Sequence, residues 1–232
     1  MKLSTLCLRA RGDQPGIALL AGLVLLAAIS LLALVATASM IVQQNMSGNF
    51  TDSWQARQGA AVAVSQGQAV LFGIGPDGRA PDCIEHCFLS PWDTVIRQAS
   101  DMPVSPEYED AAWWDSWATE AGVDPVTGSR VDGVWNFAAE PPRFLIEEVR
   151  FDDMAAAPAA AEAPAIDGIG YYRVLGRAVG QGPAAVAVSE AIIARPWLSD
   201  TTPDPGTMAD SSFCTPFEPW YDCGLMAWRQ RR

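Results

Sequence analysis

The sequence predicts an α+β fold: a long N-terminal helix, transmembrane at its start and amphipathic beyond, packed on a small antiparallel β-sheet with a Trp-rich irregular insertion. Three observations lead there. The run from Ile17 to Val42 has no charge and no proline, three strand-like segments cluster within residues 143–195, and a stretch dense in Trp, Pro and Asp lies between.

Residues 1–16 read as a short leader, since Lys2, Arg9 and Arg11 against Asp13 make it locally basic. Residues 17–42 would extend about 39 Å as a helix, enough to span a bilayer. The leading positive residues then keep the N-terminus in the cytoplasm and send the remainder across. The run is longer than a secretory h-region, and Ala36-Thr37-Ala38 falls inside it rather than just after it, which argues against an ordinary signal peptide.

Residues 43–74 continue the helix into solvent. Ala56, Ala60, Ala63, Val64 and Leu71 recur on one helical face, while Asp52, Arg57 and Gln66 are available for others. Gly48, Gly59 and Gly67 each cost about 1 kcal/mol of helix propensity, and Gly48-Asn49 is the expected point of bending. The "GIGPDG" stretch that follows matches G-x-G-x-x-G through Gly73, Gly75 and Gly78. A helix precedes it and prolines follow, so it predicts a helix-ending loop rather than a dinucleotide site.

A globular domain over 75–232 accounts for the rest. Its first part, 75–142, is irregular or short-helical, and Trp92, Trp113, Trp114, Trp117 and Trp135 either pack on the domain or form an aromatic contact surface. Strands are expected at Arg143 to Phe151, Gly170 to Val179 and Ala184 to Ala194. In the second, Tyr172, Val174 and Ala178 alternate with Arg173 and Arg177, the pattern of a sheet with one face buried and one wet. "QGP" reads as a hairpin turn, and the Ala/Pro-rich segment between the first two strands as a flexible loop. The helix ending near Phe72 is the expected cover for this three-stranded meander. Residues 196–232 read as a disulfide-tied tail, irregular from Pro196 to Cys223 and closing on the basic "GLMAWRQRR", either solvated or docked on an acidic neighbour.

Cysteine usage fits export. Cys7 lies in the leader, whereas Cys83, Cys87, Cys214 and Cys223 form an even set beyond the span. Four cysteines allow three pairings; the two local ones, Cys83 with Cys87 and Cys214 with Cys223, are preferred because short loops close easily.

The formal charge of −12 becomes −14 beyond the leader, which carries +2. Such a domain disfavours nucleic acid and suits basic partners or cations. No catalytic device stands out. The chain has one His, His86, and no G-x-S-x-G elbow. Cys83, His86 and Cys87 lack a fourth zinc ligand nearby, and Asp124 to Trp135 ends in Trp where a calcium loop needs Glu. Glu147-Glu148 and Asp152-Asp153 would point to opposite faces of a strand. The chain is therefore expected to be neither an enzyme nor the holder of a cofactor or metal.

At this point the residues resemble a known family. A basic leader ending in Gly before an apolar helix that continues into a sheet-bearing domain resembles the type IV pilins. Met46, Gly48, Asn49, Asp52, Ala56, Gln58, Ala60, Ala63 and Gly67 resemble the motif of the PilX-type minor pilins, Met-x-Gly-Asn-x-x-Asp followed by an Ala-rich helix. "PRFLIEE" and "YYRVLGRAVG" are similar to that family's later strands, while the Trp-rich middle is not covered. Ala61 and Gly59 depart from it, standing where the family tends to have Glu and Ala.

The resemblance implies cleavage by prepilin peptidase between Gly16 and Ile17. It also implies a place in type IV pilus assembly, with other minor pilins, the major pilin and a possible tip adhesin as partners. The protein would wait in inner-membrane lipid with its C-terminal domain in the periplasm. Most pilins carry Glu at the fifth residue after the cut; counted from Ile17 that position is Ala21, beside Leu20, and neither is acidic, which implies a tip or priming complex with no subunit ahead. Two alternatives stand beside this: a K-like minor pseudopilin of type II secretion, and a periplasmic enzyme on an uncut anchor.

Overall fold

The computed structural model describes residues 15–75, 78–79, 83, 87–89, 96–98, 103, 105–123, 140–154, 163–198, 213–218 and 220–231. The leader up to Gln14, His86, Trp92, Trp135, the Asp124 to Trp135 segment and most of the Ala/Pro-rich loop lie outside them. Two compact units divide between Gly48 and Asn49.

The helix α1, Pro15–Gly73, belongs to both units. It is helical through Gly48 and Asn49, the expected point of bending. Pro15 opens it, where a missing N–H and a pre-set φ cost nothing. In the first unit every described large side chain of α1 from Ile17 to Met46 is exposed. The Ser30 and Thr37 hydroxyls donate to the carbonyls of Leu26 and Ala33 at 2.8 and 2.7 Å, so their polarity is spent within the helix.

In the second unit α1 lies against a seven-stranded antiparallel sheet. Its strands are β1 (Cys87–Leu89), β2 (Ile96–Gln98), β3 (Thr119–Glu120), β4 (Glu140–Asp153), β5 (Ile166–Val179), β6 (Val186–Leu198) and β7 (Gly224–Gln230). Their order is β2-β1-β4-β5-β6-β7, with β3 also on β4. The expected three-stranded meander is thus the middle of a larger sheet. Each of its strands is longer than predicted, and β6 continues through Pro196 and Trp197, opposite Ile169 and Gly168.

The predicted wet face is the second difference. One face carries Ala63, Val64, Leu71 and Phe72 of α1 against Phe144, Ile146, Tyr172, Val174, Ala191 and Ile193. The other buries Leu145, Leu175 and Val188 under Trp114, with Trp113 and Trp117 packed around them. The short helix α2, Ala111–Trp117, supplies these Trp residues, and the Asp110 carboxylate caps it by accepting the Trp113 N–H at 2.8 Å. Alternation in β5 therefore separates two buried faces, with Arg173 and Arg177 on the second taken up by Glu147 and Glu140.

The third difference is the tail. Gly224–Gln230 is a strand paired with β6 from Ser189 to Ala194, not a solvated tail. Arg229 and Arg231 are bound within the chain: both reach Glu190, and Arg231 also reaches Glu107 at 3.1 Å. The two carboxylates are almost fully buried, so the acidic neighbour these arginines meet is the protein's own core edge.

Candidate functional site: the apolar half of α1 and the helix–sheet seam

Two features are candidates for function, and each is built from α1. The first is the apolar surface itself. Between Asp13 and Asp52 there is no charged residue. By length and hydropathy α1 is the one helix among the described residues able to cross a membrane. Leu20 is 68% exposed, and the large side chains around it are exposed as well. Gly16 and Ile17 stand in the first turn of α1, where helical hydrogen bonds are fewest and local opening is least costly. Gly22 and Gly48 have open space around them, so a neighbouring helix could approach either closely.

The second feature is the seam between Asn49–Gly73 and the sheet. A Cβ on Gly176 would strike the Ala60 carbonyl, and one on Gly67 would lie 2.6 Å from Val174. The glycines that weaken the helix as a sequence therefore let it lie close to the sheet. Ala56 and Ala60 meet Ala178 and Ala187 in a separate all-alanine contact. Asp52 closes the near end. Its carboxylate accepts the main-chain N–H groups of Gln181 and Gly182 in the β5–β6 turn, the second at 3.1 Å. Gln66 accepts the Gly122 N–H at 2.7 Å. Of the motif residues, Asp52 and Ala56 thus engage the sheet, while Met46, Gly48, Asn49 and Gln58 are exposed.

Beyond the end of α1 a buried polar chain ties the sheet to the following loop. Glu148 receives both Nε and Nη2 of Arg79 at 2.8 Å and the Tyr172 hydroxyl at 2.7 Å. The Trp197 indole N–H donates to that same hydroxyl at 2.8 Å. Arg79 also lies 3.7 Å from the centre of the Phe151 ring. Burial pushes the Tyr172 phenol well above its ordinary value, and the Glu148 charge and hydrogen bond push it further. For Arg79, burial works against the charge, but the hydrogen bonds and charge of Glu148 outweigh it and raise the guanidinium's pKa. Glu147, one residue back, points to the other face and pairs with Arg173.

Cys83 is bonded to Cys87, and Cys214 to Cys223, the two local pairings. The sulfurs of the first pair lie near the Glu148 carboxylate, within 4.8 Å. Joined to each other, they are not thiolate ligands. Gly78 donates its N–H to the Gly75 carbonyl at 3.0 Å in a turn that follows a helix, which is not the strand-turn-helix of a dinucleotide site. Sequence reasoning missed Glu148, Tyr172, Arg79 and Trp197 because these groups are brought together by strand register. No protein-family model, curated protein or solved structure matches the chain.

Proposed function

We propose that the chain is a minor pilin of the PilX type that takes part in type IV pilus assembly, with the uncharged pair Leu20-Ala21, where the usual Glu would stand, marking a place in a tip or priming complex. The role is structural. Prepilin peptidase removes residues 1–16, the apolar half of α1 waits in inner-membrane lipid, and the sheet domain stands in the periplasm. Extraction then exchanges lipid for the helices of the major pilin and other minor pilins. Lipid is about as apolar as a helix bundle, so packing and polar pairs rather than hydrophobic gain set this step.

The observation that carries the reading is the division of α1. Its first half exposes an uncharged surface, and its second half is cut with Gly and Ala to lie on a sheet. A subunit drawn out of lipid into a helical bundle needs such a helix. A carboxylate at position 21 would be costly in hydrocarbon without a partner, and the uncharged Leu20 and Ala21 remove both the cost and the means of pairing with a preceding subunit.

Mass spectrometry of the mature protein tests the reading. A chain beginning at Ile17 is expected, and a Gly16→Trp variant should retain its leader. A mature protein that still begins at Met1 would contradict the assignment and leave an anchored periplasmic protein in its place.

A further inference from the structure

The strand β7 stands at the end of the sheet, and no other strand among the described residues adds to its outer side. Natural edges of this length carry Lys or Pro, or are covered, because an open ladder invites another strand. This one has neither, its charge being Arg229 and its one register shift lying at Met226, and it is exposed from Leu225 to Gln230. Leu225 and Trp228 are each 53% exposed, with Met226 and Trp220 exposed beside them.

The two faces of β7 differ in chemistry. Leu225 and Trp228 stand opposite Ile193 and Ala191, on the side of the sheet that faces α1. Arg229 and Arg231 stand on the other side, against Glu190. From Gly224 to Arg232 there are three arginines and no acid, in a chain of net charge −12. The Arg229 side chain remains 58% exposed although Glu190 binds it. The Arg231 N–H bonds inward to the Val188 carbonyl at 2.8 Å. By antiparallel alternation Arg229 also pairs inward, and Trp228 turns its main-chain N–H and C=O to the open side.

We propose that this edge is a docking site for an amphipathic, acidic strand of another protein, which adds antiparallel to β7. Residues of that strand beside Leu225 and Trp228 are apolar, and those beside Arg229 are Asp or Glu. Main-chain hydrogen bonds supply the attachment, and the alternation of side chains supplies the selection. A second copy of this chain is a poor occupant, since its own edge would bring arginine to arginine in a body of like charge. The inference goes beyond the pilin reading and stands without it.

The test uses the full chain in lipid nanodiscs and three labelled nine-residue peptides, followed by fluorescence anisotropy. One alternates Val and Glu, one alternates Val and Lys, and the third is the Val/Glu peptide with its alternate amides N-methylated. The Val/Glu peptide is expected to bind at least tenfold more tightly than the Val/Lys peptide, and N-methylation to abolish binding. Trp228→Lys should weaken binding about tenfold while the thermal midpoint of the domain is unchanged; Met226→Lys serves as the second edge variant. Absence of binding, equal binding of the two charge patterns, or indifference to both edge variants would overturn the proposal. So would self-association of the chain that Trp228→Lys abolishes, which would make the occupant a second copy.

Discussion

The two halves of α1 share a backbone conformation and differ in what surrounds them. From Ile17 to Met46 its large side chains are Leu, Val, Ile and Met, all exposed. From Asn49 to Gly73 the inward positions include Ala56, Gly59, Ala60, Ala63 and Gly67, small enough for the sheet to approach the helix backbone, and toward its end the larger Leu71 and Phe72 take over. On the membrane reading, bulk is used where the neighbour would be fluid and smallness where it is a fixed surface. Lipid adapts to any side-chain outline, whereas β5 does not, and the composition of each half follows from that.

The comparison can be broken from either side. The largest effect expected is in the sheet half. Glu148→Ala leaves the Arg79 guanidinium buried without its carboxylate and removes the acceptor of the Tyr172 hydroxyl. About 3–5 kcal/mol of domain stability should be lost, read by urea unfolding, with membrane integration unchanged. Leu26→Arg should do the reverse. Placing a charge at mid-span costs about 3 kcal/mol of insertion free energy, seen as chain released by alkaline extraction, while the sheet domain unfolds as before.

Gly176→Ala sharpens the seam. Its methyl meets the Ala60 carbonyl, which cannot swing aside, so about 1–3 kcal/mol should be lost. Gly67→Ala meets only the side chains of Val174 and Phe144 and regains about 1 kcal/mol of helix propensity, so its net effect should be smaller.

The smallest effect is a pH dependence confined to the folded half. The folded Tyr172 phenol titrates above the ordinary value near 10, so the folded state keeps a proton that the unfolded chain gives up. This contribution is fully present below pH 10 and is lost as pH rises from there through the folded value. Tyr172→Phe should flatten that decline in a series of thermal midpoints between pH 9 and 11.

Much of this was legible in the sequence wherever a single periodicity carried the signal. The uncharged run announces a helix able to span a membrane, Ala56, Ala60 and Ala63 announce the buried face, and three apolar segments announce β4, β5 and β6. What was not legible depends on pairing at a distance. "GLMAWRQRR" has the composition of a tail, and only Glu190 and Glu107, buried across the sheet edge, make a strand of it. The Arg173 and Arg177 alternation looks wet until Trp114 covers the intervening positions. Glu147-Glu148 were readable as residues facing opposite sides of a strand, but nothing local says that one meets Arg173 and the other Arg79. The glycines of the seam read as defects because their partner, β5, lies a hundred residues away.

The central claim is that one helix serves two surroundings, lipid first and sheet after. A spin-label scan along 17–73 of the full chain in nanodiscs tests it most directly, comparing collision with oxygen, which enters lipid, and with a water-soluble nickel complex. The account predicts labels at 20–42 open to oxygen and closed to nickel. Labels beyond 49 should be open to nickel at 54, 58 and 62, and should disrupt the fold at 60 and 67. Nickel reaching labels at 20–42 as readily as those at 54 and 58 would contradict it.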